Sequence, residues 1–195
     1  MIIISEFHRI PLKTINFNEM KKIKYIFPLL FVLLFQSQNT SAQSSKDTLK
    51  VLFVGNSYTY VANMPQIVSL ISEQGNTYLL TQKSTKGGAT LSQHWNGERG
   101  FKTKEMIASD KYDIVVLQDQ SMSTIEQPDS VKHYGILLCQ HIKRNGAQAY
   151  FYQTWARERV PQYQSTISKI YNEVASKNEA GVVRVGDVWE QARQL

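Results

Sequence analysis

The chain has 195 residues, 42% of them hydrophobic and 19% charged, with 22 basic and 16 acidic side chains. Residues 1–42 hold 5 of the basic and 2 of the acidic residues, which leaves 17 against 14 and a net charge of +3 for the remainder. That is an ordinary protein surface, so the basic balance of the whole chain gives no argument for nucleic-acid binding. A single cysteine, Cys139, excludes an intrachain disulfide.

The first segment with a pattern is a leader. Met20-Lys21-Lys22-Ile23-Lys24 is a basic start, Ile26 to Phe35 is an apolar core broken only by Pro28, and Thr40-Ser41-Ala42 supplies small residues before Gln43. That order predicts a secretory signal peptide over residues 20–42, cleaved after Ala42. The apolar core is short for a membrane span, and a retained anchor is the alternative. Residues 1–19 have no periodic pattern, and translation is expected to begin at Met20. Export is therefore expected, to the periplasm or beyond, with no stable membrane association after cleavage. Residues 43–195 then form one domain with a single core.

Within that domain, strands and helices alternate. Gln43 to Thr48 is a polar lead-in, followed by a strand at Lys50 to Val54 and a helix at Met64 to Glu73 that stops at Gly75-Asn76. Tyr78 to Thr81 is a second strand, Ser84 to Gly88 a loop, Leu91 to Gly100 a mixed segment and Phe101 to Ser109 a helix. A third strand, Asp113 to Gln118, precedes a helix at Asp129 to Arg144. Ala147 to Gln153 is a strand, Pro161 to Lys177 a helix, Val182 to Val185 a fifth strand and Asp187 to Ala192 the start of another helix. Alternation of this kind predicts a parallel sheet with helices on both faces, a three-layer α/β/α flavodoxin-like fold of about five strands. The last helix has no stop signal, and the sequence is expected to be incomplete at its C-terminus. Cys139 falls in an apolar run and is expected in the core.

The most informative stretch is Leu49 to Thr59. Val51 to Val54 is an apolar run of the kind buried on both faces of a sheet. Gly55 permits a sharp turn, and Asn56, Ser57, Tyr58 and Thr59 follow. A hydroxyl at the C-terminal end of a central strand lies where open α/β sheets place their ligands. The same residue types also cap helices with no chemistry involved.

Gly55-Asn56-Ser57-Tyr58-Thr59 resembles the first block of the SGNH (GDSL-like) hydrolases, with Asn56 in the place of the usual Asp. Gly87-Gly88-Ala89-Thr90 resembles the second block. Gln118-Asp119-Gln120-Ser121 stands where the third, Gly-x-Asn-Asp, belongs, and the fourth block, Asp-x-x-His, is missing. The set is similar to an uncharacterised bacterial branch of that family.

The resemblance implies a serine ester hydrolase with Ser57 as nucleophile. It also implies an oxyanion hole built from the N–H of Ser57, the N–H of Gly88 and the side-chain amide of Gln118 or Gln120. Glutamine offers the same donor as the family's asparagine with one more methylene of reach. Asn56, Tyr58, His94 and Trp95 are candidates for the pocket, His94 also for the base, and Tyr58, Trp95, Tyr152 and Trp155 for a sugar-stacking rim. His133 and His141, eight apart on one predicted helix, are weaker candidates for the base. The missing Asp-x-x-His is expected beyond Leu195, and residues 43–195 alone are expected to be nearly inactive. No metal-ligand spacing and no dinucleotide-type phosphate loop is present, so no cofactor is implied.

Three readings follow. The first is an exported esterase acting on small acyl esters, with O-acetyl groups of carbohydrates as the expected substrates. The second is a non-catalytic glycan-binding module on the same fold. The third is a flavodoxin-like domain holding FMN phosphate in the turn at Asn56 to Thr59.

Overall fold

A computed structural model describes Lys46 to Arg193. The expected signal peptide and its cleavage site lie outside the described residues. Five strands form one wholly parallel sheet: β1 (Asp47–Gly55), β2 (Thr77–Thr85), β3 (Ile114–Leu117), β4 (Gln148–Tyr152) and β5 (Gly181–Val183). Their order is β2-β1-β3-β4-β5. β1 is interior, as the apolar run at Val51 to Val54 demands, but β3 rather than β1 is the middle strand.

Helices connect the strands: α1 (Ser57–Tyr60), α2 (Met64–Ser72), α3 (Leu91–Asn96), α4 (Thr103–Ser109), α5 (Ser123–Glu126), α6 (Pro128–Arg144), α7 (Gln164–Lys177) and α8 (Val185–Ala192). No helix among the described residues is long and apolar enough to cross a membrane. Successive strand residues point to opposite faces of the sheet. Leu52, Val54, Val115, Leu117 and Phe151 enter the larger core, where Leu91, Ile107, Leu138, Ile142, Ile167 and Tyr171 cover them from α3, α4, α6 and α7. Full burial of side chains of this size contributes roughly 1.5–3 kcal/mol each. Cys139 sits in the same core, and burial pushes its thiol up to about 12.

The alternate residues Val51, Phe53 and Val116 face the other way and pack against Met64 and Val68 of α2. The fold is thus three-layered, helix on sheet on helix. Between α2 and β5 this second face keeps an apolar groove of about 440 Å³, lined by Phe53, Met64, Val116, Tyr150, Tyr152 and Val183 among others.

Several elements differ from the expectations: β5 is Gly181–Val183 and not Val182 to Val185, Val185 instead opens α8, and α5 has no counterpart there. Two further differences lie near the first two blocks. β2 runs from Thr77 to Thr85 because it pairs with β1 along its whole length, Asp47 opposite Thr77 through Gly55 opposite Thr85. Its polar half, Thr81 to Thr85, lies on an edge strand and carries no apolar signal. The mixed segment after Ala89 opens as helix α3. Thr90 Oγ1 accepts the Gln93 N–H while the Gln93 side chain accepts the Thr90 N–H, a capping box.

Candidate active site

The chain leaves β1 at Gly55, and the turn there has no room for a side chain. A Cβ at Gly55 would lie 2.5 Å from Thr59 Oγ1 and 2.6 Å from Gln118 Oε1. Asn56 comes next, 3% exposed, and every polar group of its side chain is used. Its Oδ1 accepts the Tyr58 N–H at 3.1 Å, capping α1, and its Nδ2 donates to the Ala89 carbonyl at 2.9 Å. Its own N–H donates to Gln118 Oε1 at 3.1 Å. Asn56 is thus a clamp between the turn after β1 and the loop after β2, and it offers no free group to a pocket.

The loop after β3 is tied into the same cluster by Asp119. Its Oδ1 accepts the Leu91 N–H at 3.2 Å and the Gln120 N–H at 2.6 Å. The carboxyl is 2% exposed, and burial lifts it to about 6 against the opposing pull of those N–H groups. In the sequence Asp119 stands out only as part of the third block. Its place between the second and third blocks became visible only with the loops assembled.

The two candidate glutamines separate. Gln118, 1% exposed, lies under the turn. Its Oε1 accepts from both the Asn56 N–H and Thr59 Oγ1, and its Nε2 donates to the Asp119 carbonyl. With its amide engaged on both ends and 1% exposed, Gln118 is not presented to a substrate, so the expectation for it is corrected: it supports the turn from beneath. Gln120 is half-buried, its Oε1 accepts the Met122 N–H at 2.7 Å, and its Nε2 has no partner among the described residues.

Three further groups at this edge are without partners among the described residues: the hydroxyl and N–H of Ser57 and the N–H of Gly88. Ser57 is the first residue of α1, whose opening N–H groups have no intrahelical acceptor. Gly88 stands at φ +66°, a left-handed conformation that suits glycine, three residues beyond β2. The Asn56–Ala89 hydrogen bond brings the two backbones together one residue away from each of them.

His94 does not line this pocket, and that expectation is corrected. It is fully buried beneath the turn, where Nε2 lies 3.0 Å from the Gly55 carbonyl and Nδ1 2.8 Å from Thr103 Oγ1. A carbonyl only accepts, so Nε2 carries the proton and Nδ1 accepts from Thr103, which in turn lies 2.8 Å from Ser84 Oγ. Burial holds the imidazole down at about 4, with Arg99 adding to the effect and the Gly55 hydrogen bond opposing it. Trp95, its neighbour, is also corrected. It packs against the main core, with Lys104 Nζ 4.8 Å over its ring and His141 edge-on at 6.2 Å. His141 Nε2 faces the Lys104 carbonyl, and His133 lies edge-on to Tyr134 on α6.

The aromatic neighbour that Ser57 does have is Tyr58. Its ring stacks on Trp155, from the loop after β4, at 4.5 Å and 5°. Trp155 in turn meets Trp189 of α8 at 5.7 Å and 37°. Tyr152 points instead into the apolar groove of the second face.

Comparison with models of known protein families finds no match, and none is found among curated proteins. Solved structures do match. A candidate SGNH hydrolase from Slackia heliotrinireducens superposes with a TM-score of 0.64 at 22% identity, over 74% of this chain and 83% of that one. A DUF4886 family protein from Bacteroides uniformis gives 0.59 at 21%, over 72% and 68%. An acetyl xylan esterase gives 0.54 at 14%, over 69% and 76%. The fold of this chain is that of the SGNH hydrolases.

Proposed function

We propose that the chain is an exported serine ester hydrolase that cleaves small acyl esters, with O-acetyl groups on carbohydrates as its substrate class. One observation carries the reading. A serine hydroxyl and three unpartnered donors, the N–H of Ser57, the N–H of Gly88 and the Gln120 amide, follow the C-terminal ends of β1, β2 and β3, adjacent strands of an SGNH-type sheet. That is the complement ester hydrolysis needs: a nucleophile and donors for the charge that develops on the carbonyl oxygen. The acetyl choice is supported by the likeness to an acetyl xylan esterase, and export by the leader at residues 20–42.

In this reading Ser57 Oγ adds to the acyl carbon as a base takes its proton. The oxyanion is met by the three donors. The alcohol leaves carrying that proton, and water then cleaves the acyl-serine by the same path. Among the described histidines, His94 is sealed under the turn, and His133 and His141 sit on α6 with other partners, so this reading assigns the base to none of the three. The second reading is a glycan-binding module that keeps the pocket without turnover.

The test is hydrolysis of p-nitrophenyl acetate by the full-length protein and by Ser57→Ala. Loss of turnover in the variant supports the esterase. Equal rates exclude Ser57 as the nucleophile.

A further inference from the structure

We propose that the cleft between Trp155 and Trp189 is an oligosaccharide subsite, the place where the carbohydrate part of the ester rests. The inference rests on the esterase reading and extends it to residues outside the chemistry.

The cleft encloses about 380 Å³ and is lined by Trp155, Ala156, Glu158, Trp189 and Arg193. That volume falls in the range of small-ligand pockets. It is joined to Ser57 by a continuous run of rings: Tyr58 follows Ser57 in the chain and stacks on Trp155, and Trp155 meets Trp189. Trp189 is 50% exposed among the described residues, a high value for a tryptophan. The two indoles touch at 5.7 Å and 37°, so a ligand rests against the exposed part of Trp189 along the cleft and not between the rings.

The chemistry of the lining selects the ligand. Indole faces take an apolar surface, and the carboxylate of Glu158 and the guanidinium of Arg193 lie on the same lining as acceptor and donor. A pyranose matches that set, with a face of C–H groups and a rim of hydroxyls that both donate and accept. A fatty acyl chain would leave the Glu158 carboxylate unmatched; Arg193 already has Glu190 Oε2 at 3.9 Å. A nucleotide would need an excess of positive charge, and the lining sets one cation, Arg193, against one carboxylate, Glu158. Paired opposite charges suit a neutral, hydroxylated ligand.

The experiment is calorimetric titration of the full chain carrying Ser57→Ala with xylohexaose, then cellohexaose and chitohexaose. Saturable binding of one of them is expected. Trp189→Ala should weaken it about tenfold or more, and Trp189→Phe, which keeps a ring, by less. Glu158→Ala, on an exposed loop, gives a second and independent loss. No binding of any of the three, or unchanged affinity in both Trp189→Ala and Glu158→Ala, overturns the subsite. Turnover of p-nitrophenyl acetate by the wild type is measured alongside. Ser57-dependent turnover without oligosaccharide binding sinks the subsite and leaves the esterase. Binding without such turnover sinks the esterase and leaves the subsite.

Discussion

The side-chain amide of Asn56 donates to the carbonyl of Ala89 at 2.9 Å, across 33 positions of sequence. That bond fixes the loop carrying Gly88 against the turn carrying Ser57. The acceptor is a carbonyl, so the residue at position 56 must present a donor. An aspartate there would turn a second acceptor toward it.

Asn56→Asp should therefore destabilise the fold by about 1–3 kcal/mol, the cost of leaving a buried polar group without its partner. Urea unfolding at neutral pH measures it, as a lower midpoint with an unchanged slope. A midpoint equal to the wild type would mean that the two loops are held together some other way.

Gln118 and Gln120 should respond oppositely to truncation. Gln118→Ala strands the Asn56 N–H and the Thr59 hydroxyl in the interior, so its effect is on stability, of the order of 1–3 kcal/mol per stranded group. Gln120→Ala removes the unpartnered Nε2 and one half-buried bond to the Met122 N–H, so its main effect is on kcat, by roughly 10²-fold, with a smaller loss of stability than Gln118→Ala. Kinetics and thermal melts on the same two proteins decide it, and a reversed pattern would exchange the two roles.

The buried pair beneath the site makes a pH prediction. The folded-state pKa of Asp119 is raised from 3.8 to about 6, so its contribution to stability declines as pH rises through that window. The folded-state pKa of His94 is lowered from 6.5 to about 4, so its contribution declines as pH falls through nearly the same window. The two slopes oppose each other in the wild type. Asp119→Asn should expose the histidine slope, with the melting temperature falling from pH 6.5 to 4. His94→Gln should expose the aspartate slope, rising over the same range. Parallel profiles in the two variants would contradict the assignment.

Residues 43–195 alone should hydrolyse p-nitrophenyl acetate slowly, since an unassisted serine hydroxyl is a weak nucleophile at neutral pH. Oxyanion donors by themselves still leave a rate of the order of 10³-fold over water. Added imidazole should raise the part of that rate that Ser57→Ala removes. A fast rate without imidazole would mean that a base already acts within these residues.

The sequence alone determined the layer architecture and the turn at Gly55. Both follow from local pattern: apolar runs too short for helices, separated by helical segments, and a glycine where a strand must turn sharply. It also put Ser57 and Gly88 in loops that follow adjacent strands, because a parallel sheet brings such loops to one edge whatever their sequence separation. Only the tertiary structure decided between Gln118 and Gln120. Alternation along an extended chain puts both on one face, but β3 ends at Leu117, and the Asp119 carboxylate turns the chain before Gln120. Only it decided His94 against the neighbouring Trp95. Adjacent residues on a helix point about 100° apart, so α3 sends the imidazole under the turn and the indole toward α6. The stack of Tyr58 on Trp155 was beyond reach for the same kind of reason. Its two rings come from loops 97 residues apart, and only the pairing order of β1, β3 and β4 brings those loops to a common edge.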